Sequence, residues 1–335
     1  MTVLLLASVG MVTFSGCALF GGSKKLDRDT VFWNQSMMSD VKRVTDEPRT
    51  RKAWPVISPD GTKLLYCETE AKVSRSALYG YYEWNIAYLR NVNSPVKTDL
   101  VQTLNTRAPT WTENNDRFYY IRWEDANARI IRSSVVGGGA TYATRNPIGF
   151  DNDRPNVKRG RILSDTMQSG RRILISCKED GSDQTQLGEG EQPSFHPTQN
   201  KIVYIRIVSG LRCVYEMDLD NPTQVHEIYR DRNDYNCRAP SYSACGRFIL
   251  FQKGAESKAT GMTSRGVNVS YKAANKWQIF IMRADGQGGL TPLTSGNTDV
   301  YFPTMDANGN VYFVAEIDSI EVWRGRVNTA SMLLD

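Results

Sequence analysis

One local plan is written into this sequence five times. Residues 54–66 read WPVISPDGTKLLY, 107–121 RAPTWTENNDRFYYI, 192–205 QPSFHPTQNKIVYI, 238–251 RAPSYSACGRFILF and 301–314 YFPTMDANGNVYFV. Each has a proline, a short alternating strand, a turn of Asp, Asn, Gly or Pro, and an apolar strand ending in an aromatic. Proline and aromatic are 11 residues apart in four copies (Pro55 to Tyr66, Pro109 to Tyr120, Pro193 to Tyr204, Pro240 to Phe251) and 10 apart in the fifth, Pro303 to Phe313. A degenerate sixth copy, DRPNVKRGRILSD at 153–165, keeps Pro155 and lacks the aromatic. A repeat of this kind dictates the fold, because no single unit can bury its own apolar face and the units must stack.

The prolines at 55, 109, 155, 193, 240 and 303 are separated by 54, 46, 38, 47 and 63 residues. Roughly 40–50 residues is the span of a four-stranded propeller blade. Asp60-Gly61 and Asn308-Gly309 supply the positive φ of a tight hairpin turn. Each unit also offers further strands, such as NIAYLR (85–90), RRILISCKEDG (171–181), RCVYEMDLDN (212–221) and WQIFIMRADG (277–286). The last is apolar on both faces, as expected where sheets stack on sheets. The expected fold is all-β: a six-bladed propeller of four-stranded antiparallel blades. Residues 38–45, MSDVKRVT, look like the last strand of a blade, and the expectation is that they complete the final blade and remove an open edge.

The SPDG turn at 58–61 and RADGQGGLTPLT at 283–294 resemble the repeats of the TolB-like propeller family, over about residues 37–327. The resemblance implies a non-catalytic scaffold that docks envelope proteins of the Pal-like kind. TolB proper carries an α/β domain before its propeller, where this chain has a tether, so the resemblance is to the family rather than to that member.

Residues 1–16, MTVLLLASVGMVTFSG, are uncharged and mostly apolar, and too short to span a bilayer comfortably. They read as a signal peptide. Phe14-Ser15-Gly16-Cys17 resembles the bacterial lipobox, with Phe where Leu is usual, and implies lipidation of Cys17; a plain secretory signal is the alternative. Ala18 after the cysteine suggests outer-membrane sorting by the same analogy, facing the periplasm or the cell surface. The expected division is a signal at 1–16, a lipidated Gly/Ser/Lys tether at 17–36, the propeller at 37–327 and a tail at 328–335.

The two longest insertions, 68–83 and 253–276, fall between the second and third strands of their units, and long loops on a rigid scaffold are where binding sits. The aromatic group Tyr79, Tyr81, Tyr82 and Trp84 is a partner-contact candidate; packing under its own loop is the plainer reading. The basic run Arg154, Lys158, Arg159 and Arg161, with Arg171 and Arg172, suits phosphate, a lipid headgroup or an acidic protein face; ordinary solvated charge is favoured over it. A net charge of +5 does not argue for nucleic acid.

Chemistry is poorly supplied. There are 2 His in 335 residues, without metal-ligand spacing or a Ser-His-Asp arrangement. His196 falls in the turn of its unit at the position of Ser58 and is assigned a structural role. No glycine loop leads into a helix, so no nucleotide cradle is expected. Five cysteines besides Cys17 leave an odd thiol: Cys67, Cys177, Cys213, Cys237 and Cys245. Cys237 and Cys245 flank one strand and are a possible pair only if that strand bends. Cys177 and Cys213 read as buried apolar residues. No catalytic residue, metal or cofactor is expected. The alternative to a scaffold is a carbohydrate-binding or carbohydrate-active propeller, which calls for acids converging on the axis.

Overall fold

The computed structural model describes residues 32–70, 85–89, 91–94, 96–101, 106–124, 127–136, 139–144, 155–233, 235–254 and 276–332. Strand β1 (Met38–Arg43) is followed by six groups of strands. The first is β2 (Thr50–Ile57), β3 (Leu64–Glu70), β4 (Asn85–Leu89) and β5 (Lys97–Val101). The second is β6 (Thr106–Trp111), β7 (Arg117–Glu124), β8 (Asn127–Ser134) and β9 (Thr141–Tyr142). The third is β10 (Asn156–Lys158), β11 (Arg161–Gln168), β12 (Arg171–Lys178) and β13 (Thr185–Glu189). The fourth is β14 (Glu191–Phe195), β15 (Lys201–Val208), β16 (Leu211–Asp218) and β17 (Val225–Tyr229). The fifth is β18 (Asn236–Tyr242), β19 (Phe248–Gly254), β20 (Gln278–Arg283) and β21 (Leu290–Pro292). The last is β22 (Asp299–Met305), β23 (Asn310–Glu316) and β24 (Ile320–Val327), followed by a 3-10 turn at Thr329–Met332.

Groups two to five are separate four-stranded meanders, each strand antiparallel to the next. The remaining eight strands form one sheet, in the order β22-β23-β24-β2-β3-β4-β5 with β1 also on β24. The expectation of six separate four-stranded sheets is corrected here: four are separate. The reason is a parallel bridge, Arg51 opposite Ile320, which joins β2 to β24 and merges the first and last groups. β1 lies antiparallel on β24, with Met38 opposite Val327 and Arg43 opposite Trp323.

Packing explains why the second strand is apolar on both faces in every group but the third, whose β11 buries Ser164 and Asp165. Leu64–Cys67, Phe118–Ile121, Ile202–Ile205, Phe248–Phe251 and Val311–Ala315 are all essentially inaccessible to solvent. Alternate residues of each run enter different apolar clusters. Leu65 and Cys67 pack with Trp111 and Tyr120 of the second group, while Leu64 and Tyr66 pack with Tyr312 and Val314 of the last. The same division recurs around the chain, so successive groups are held face to face in a propeller-like arrangement.

The recurrent prolines mark a β-bulge. Trp54, Ala108, Gln192, Ala239 and Phe302, each just before a proline, lie at φ between 48° and 56°. The ladder register slips at each of these points. Left-handed backbone at a non-glycine residue before proline is disfavoured twice over, and persists only where the surroundings hold it. Here the neighbouring group helps: Ala239 N–H donates to Gln192 Oε1 at 2.7 Å, and Phe302 N–H donates to Gln252 Oε1 at 2.9 Å. Gln252 is buried. Gln252→Ala is expected to leave the Phe302 N–H without its acceptor and to lower stability by about 1–3 kcal/mol, measured as a shift in the urea midpoint.

The packed chain begins earlier than the sequence suggests. Phe32 is buried, and its ring meets Trp33, Trp323 and Phe313 edge-on at centroid distances of 5.3, 5.2 and 6.3 Å. Trp33 bridges to Thr294, and Asn34 N–H donates to the Leu293 carbonyl at 2.9 Å. Residues 32–36, assigned above to the tether, are therefore part of the folded body. Aromatic pairing with β23 and β24, remote in sequence, makes the difference.

Candidate functional site

A cavity of about 220 Å³ is lined by residues from the first strand of all six groups. Its walls include Pro55, Pro109, Pro155, Pro193 and Pro240 and the residues that follow them, together with Thr304 after Pro303. It reaches the turns between the first and second strands, at Ser58, Glu113, Pro197, Ala244 and Asp306. The bulges of five groups thus put Val56, Thr110, Ser194, Ser241 and Thr304 around a common centre, and Asn156 joins them after Pro155 in the third. Both carboxylates on the lining are committed. Glu113 pairs with Lys158 at 3.4 Å and accepts the Arg159 N–H, and Asp306 accepts Asn308 N–H, Asn310 N–H and Asn310 Nδ2 within its own turn. Neither carboxylate of this lining is without a partner of its own.

Both histidines line a second concavity, of about 680 Å³, between the fourth and fifth groups. His196 occupies the turn position of Ser58, as expected: its N–H donates to Lys201 O at 2.8 Å, as Ser58 N–H does to Lys63 O. Its Nδ1 accepts from Gln199 N–H at 2.9 Å and Thr198 N–H at 3.2 Å, so the turn needs the neutral ring. The ring stands edge-on to Tyr242 at 4.7 Å and closes against Gly246, where positive φ and the absence of a side chain are both required. Burial is the main cause holding the imidazole below its ordinary value of 6.5. Because the folded value is the lower one, the stabilisation is complete above about pH 6.5 and is lost as the pH falls toward the folded value. His196→Asn, which keeps an acceptor for the turn, is expected to flatten the fall in urea midpoint between about pH 7 and about pH 5.

The sequence-selected residues divide sharply. Cys17, Tyr79, Tyr81, Tyr82, Trp84 and Arg154 lie outside the described residues. The rest of the basic run is distributed and paired. Lys158 meets Glu113; Arg159 Nη2 donates to the carbonyls of His196 at 2.9 Å and Gln199 at 2.5 Å; Arg161 pairs with Asp183 at 2.9 Å. Arg171 and Arg172 sit at the far end of the β11–β12 hairpin from Arg161. Arg171 pairs with Glu189, and Arg172 with Asp165 at 2.7 Å and Glu191 at 2.9 Å. A single anion-binding patch built from these cations is not what the geometry offers. Antiparallel pairing separates the two halves of the run, and carboxylates of the same hairpin and of neighbouring strands neutralise most of it.

Among the described residues no group of three or more His, Cys, Asp or Glu is arranged to hold a metal ion. Cys67, Cys177, Cys213 and Cys237 are buried free thiols, and Cys245 is exposed, its Sγ 3.3 Å from Ser243 Oγ. Cys237 and Cys245 do not pair: β18 runs extended between them through Tyr242.

Sequence reasoning missed the ion clusters at the seams. Lys52, with no side-chain exposure, lies 3.5 Å from Glu47, 3.7 Å from Glu68 and 3.5 Å from the equally buried Glu321. Lys97 joins from the outside, 2.8 Å from Glu47 and in contact with Glu68. This is where β2 meets β24, so the cluster ties the first group to the last. Between the third and fourth groups, Glu191 takes Arg172 and Arg212, the latter at 2.6 Å. No sequence signal could have found these, since nothing local marks which charges will meet.

No family model matches the chain, and no curated protein matches it. Solved structures do. A structure from Agrobacterium tumefaciens assigned as TolB superposes with a TM-score of 0.55 at 14% identity, over 76% of this chain and 88% of that one. The fold is a TolB-like β-propeller. TolB from Acinetobacter baumannii gives 0.53 at 12% identity, over 82% and 79% of the two chains. An oligogalacturonate lyase in complex with manganese gives 0.52 at 9%, over 90% and 96%. At such identities the likeness establishes the fold alone, and a fold does not fix a function.

Proposed function

We propose that this TolB-like propeller is a non-catalytic, lipid-anchored scaffold of the bacterial envelope that docks other envelope proteins. In this reading the eight-stranded sheet is two blades joined by the Arg51–Ile320 bridge, which makes the propeller six-bladed, with β1 as its closing strand. Cys17 carries the lipid and the chain serves at the outer membrane, facing the periplasm.

The observation that carries the scaffold reading is the contrast between the rigid body and its long connections. The groups are locked to one another by buried aromatics, bulge-capping glutamines and ion clusters. Residues 71–84 join β3 to β4 and residues 255–277 join β19 to β20, each between the second and third strands of its group. The strand ends that they join lie at the far end of their hairpins from the turns that line the small central cavity. A rigid body bearing long connections suits protein recognition better than catalysis.

The test is crosslinking and affinity recovery of the lipidated chain from native envelopes, beside Cys17→Ser and a form lacking 71–84. The expected result is a stoichiometric protein partner that is lost on deleting 71–84, and a Cys17→Ser form released from the membrane. Recovery without any protein partner ends the scaffold reading, and Cys17→Ser remaining membrane-bound ends the lipid assignment.

A further inference from the structure

We infer that the central cavity is a binding site for a small, neutral, polyhydroxylated molecule of monosaccharide size. Three facts about the lining lead there. First, its hydrogen-bonding groups are available: the hydroxyls of Thr110, Ser194 and Thr304 bond to no described residue. Asn156 uses only its Oδ1, which accepts Phe195 N–H at 3.1 Å, and keeps its amide donors for the cavity. These groups come from four different groups of strands and converge because each follows the recurrent proline of its unit.

Second, the cavity offers an anion no partner. Lys158 is already paired with Glu113, and Asp306, held by the amide donors of its own turn, adds a negative charge. An anionic ligand would enter without a counter-charge, at the cost of desolvation. A neutral ligand rich in hydroxyls can exchange its water hydrogen bonds for those of the ring. Third, the remaining walls are rings and prolines, with Trp54, Trp111 and Tyr242 among them. They give an apolar surface for the C–H faces of a polyol, while few precisely placed polar groups fix its orientation. The volume of about 220 Å³ corresponds to about seven waters at roughly 30 Å³ each. It is too small for an oligosaccharide and sufficient for one sugar ring. The site is independent of the scaffold reading, which concerns the connections at the far end of the hairpins.

The test uses the full chain with D-glucose, and with D-glucuronate as a charged probe on the same ring. Tryptophan fluorescence reports occupancy, since Trp54 and Trp111 line the cavity, and calorimetry gives the affinity. The expected result is saturable glucose binding with a dissociation constant of about 1 mM or tighter, and glucuronate at least about tenfold weaker. Thr110→Val and Ser194→Ala, both close to volume-conserving, should each weaken glucose by about threefold to tenfold. Ser182→Ala, on an exposed turn of the third group, should leave it unchanged. Glucose that fails to saturate, glucuronate that binds as tightly, or binding that survives the Thr110→Val, Ser194→Ala double variant overturns the assignment.

Discussion

Lys52→Met is expected to lower the stability of this protein by about 3–5 kcal/mol. Methionine nearly matches the length of lysine, so packing is kept and the loss reports the charge. In the native fold the Lys52 ammonium sits beneath Glu47, Glu68 and Glu321, with neither its own side chain nor that of Glu321 reaching solvent. Its remaining hydrogens go to Thr50 Oγ1 and to the Glu47 carbonyl. Glu321 in turn accepts Thr45 Oγ1 at 2.6 Å and Glu47 N–H at 3.1 Å. Removing the cation leaves Glu321 buried without its counter-charge, which is worse than never having had the pair. The double variant Lys52→Met, Glu321→Met should therefore recover much of the loss, and that non-additivity is the signature to look for. The measurement is urea unfolding followed by tryptophan fluorescence. A single-variant loss below about 1 kcal/mol, the scale of an exposed ion pair, would show that the cluster is solvated and does not lock the seam.

Phe32→Ala is the second large effect, at about 3–5 kcal/mol. The ring fills a site between Trp33, Phe313 and Trp323 and belongs to the same apolar cluster as Met38, Leu293 and Val327. Truncating it opens a cavity at the place where the N-terminal strand joins the last sheet, and β1 loses part of its purchase on β24. If residues 32–36 were only tether, the substitution would leave the urea midpoint unmoved. The result thus decides where the folded body begins.

The two predictions mark the line between what could and could not be read from the sequence. The strands of each group, their turns and the apolar character of β3, β7, β15, β19 and β23 were legible, because proline, turn residue and aromatic recur at fixed local spacing and act within one hairpin. The turn role of His196 was legible for the same reason: it stands where Ser58 stands in another copy. Even the strand character of 38–43 came from its likeness to other units.

Apart from the docking of 38–43 on the last group, what the sequence could not show is which side chains meet where two groups of strands come together. The basic run, Arg154 to Arg172, is close in sequence and so offered a patch as the lesser reading beside ordinary solvated charge. The β11–β12 hairpin sends Arg161 and Arg172 to opposite ends, and Asp165, Glu189 and Glu191 neutralise what remains. The merging of the first and last groups rests on a single parallel bridge whose partners are at either end of the chain. Thr45 and Glu321, 276 residues apart, touch only once the ring of sheets is complete. The repeat, a matter of local spacing, determined the element and its copies. The charges at the seams, the docking of Phe32 and the ring of hydroxyls at the centre were decided by tertiary structure, because each is a contact between residues that share no local pattern and are brought together by the stacking of one sheet on the next.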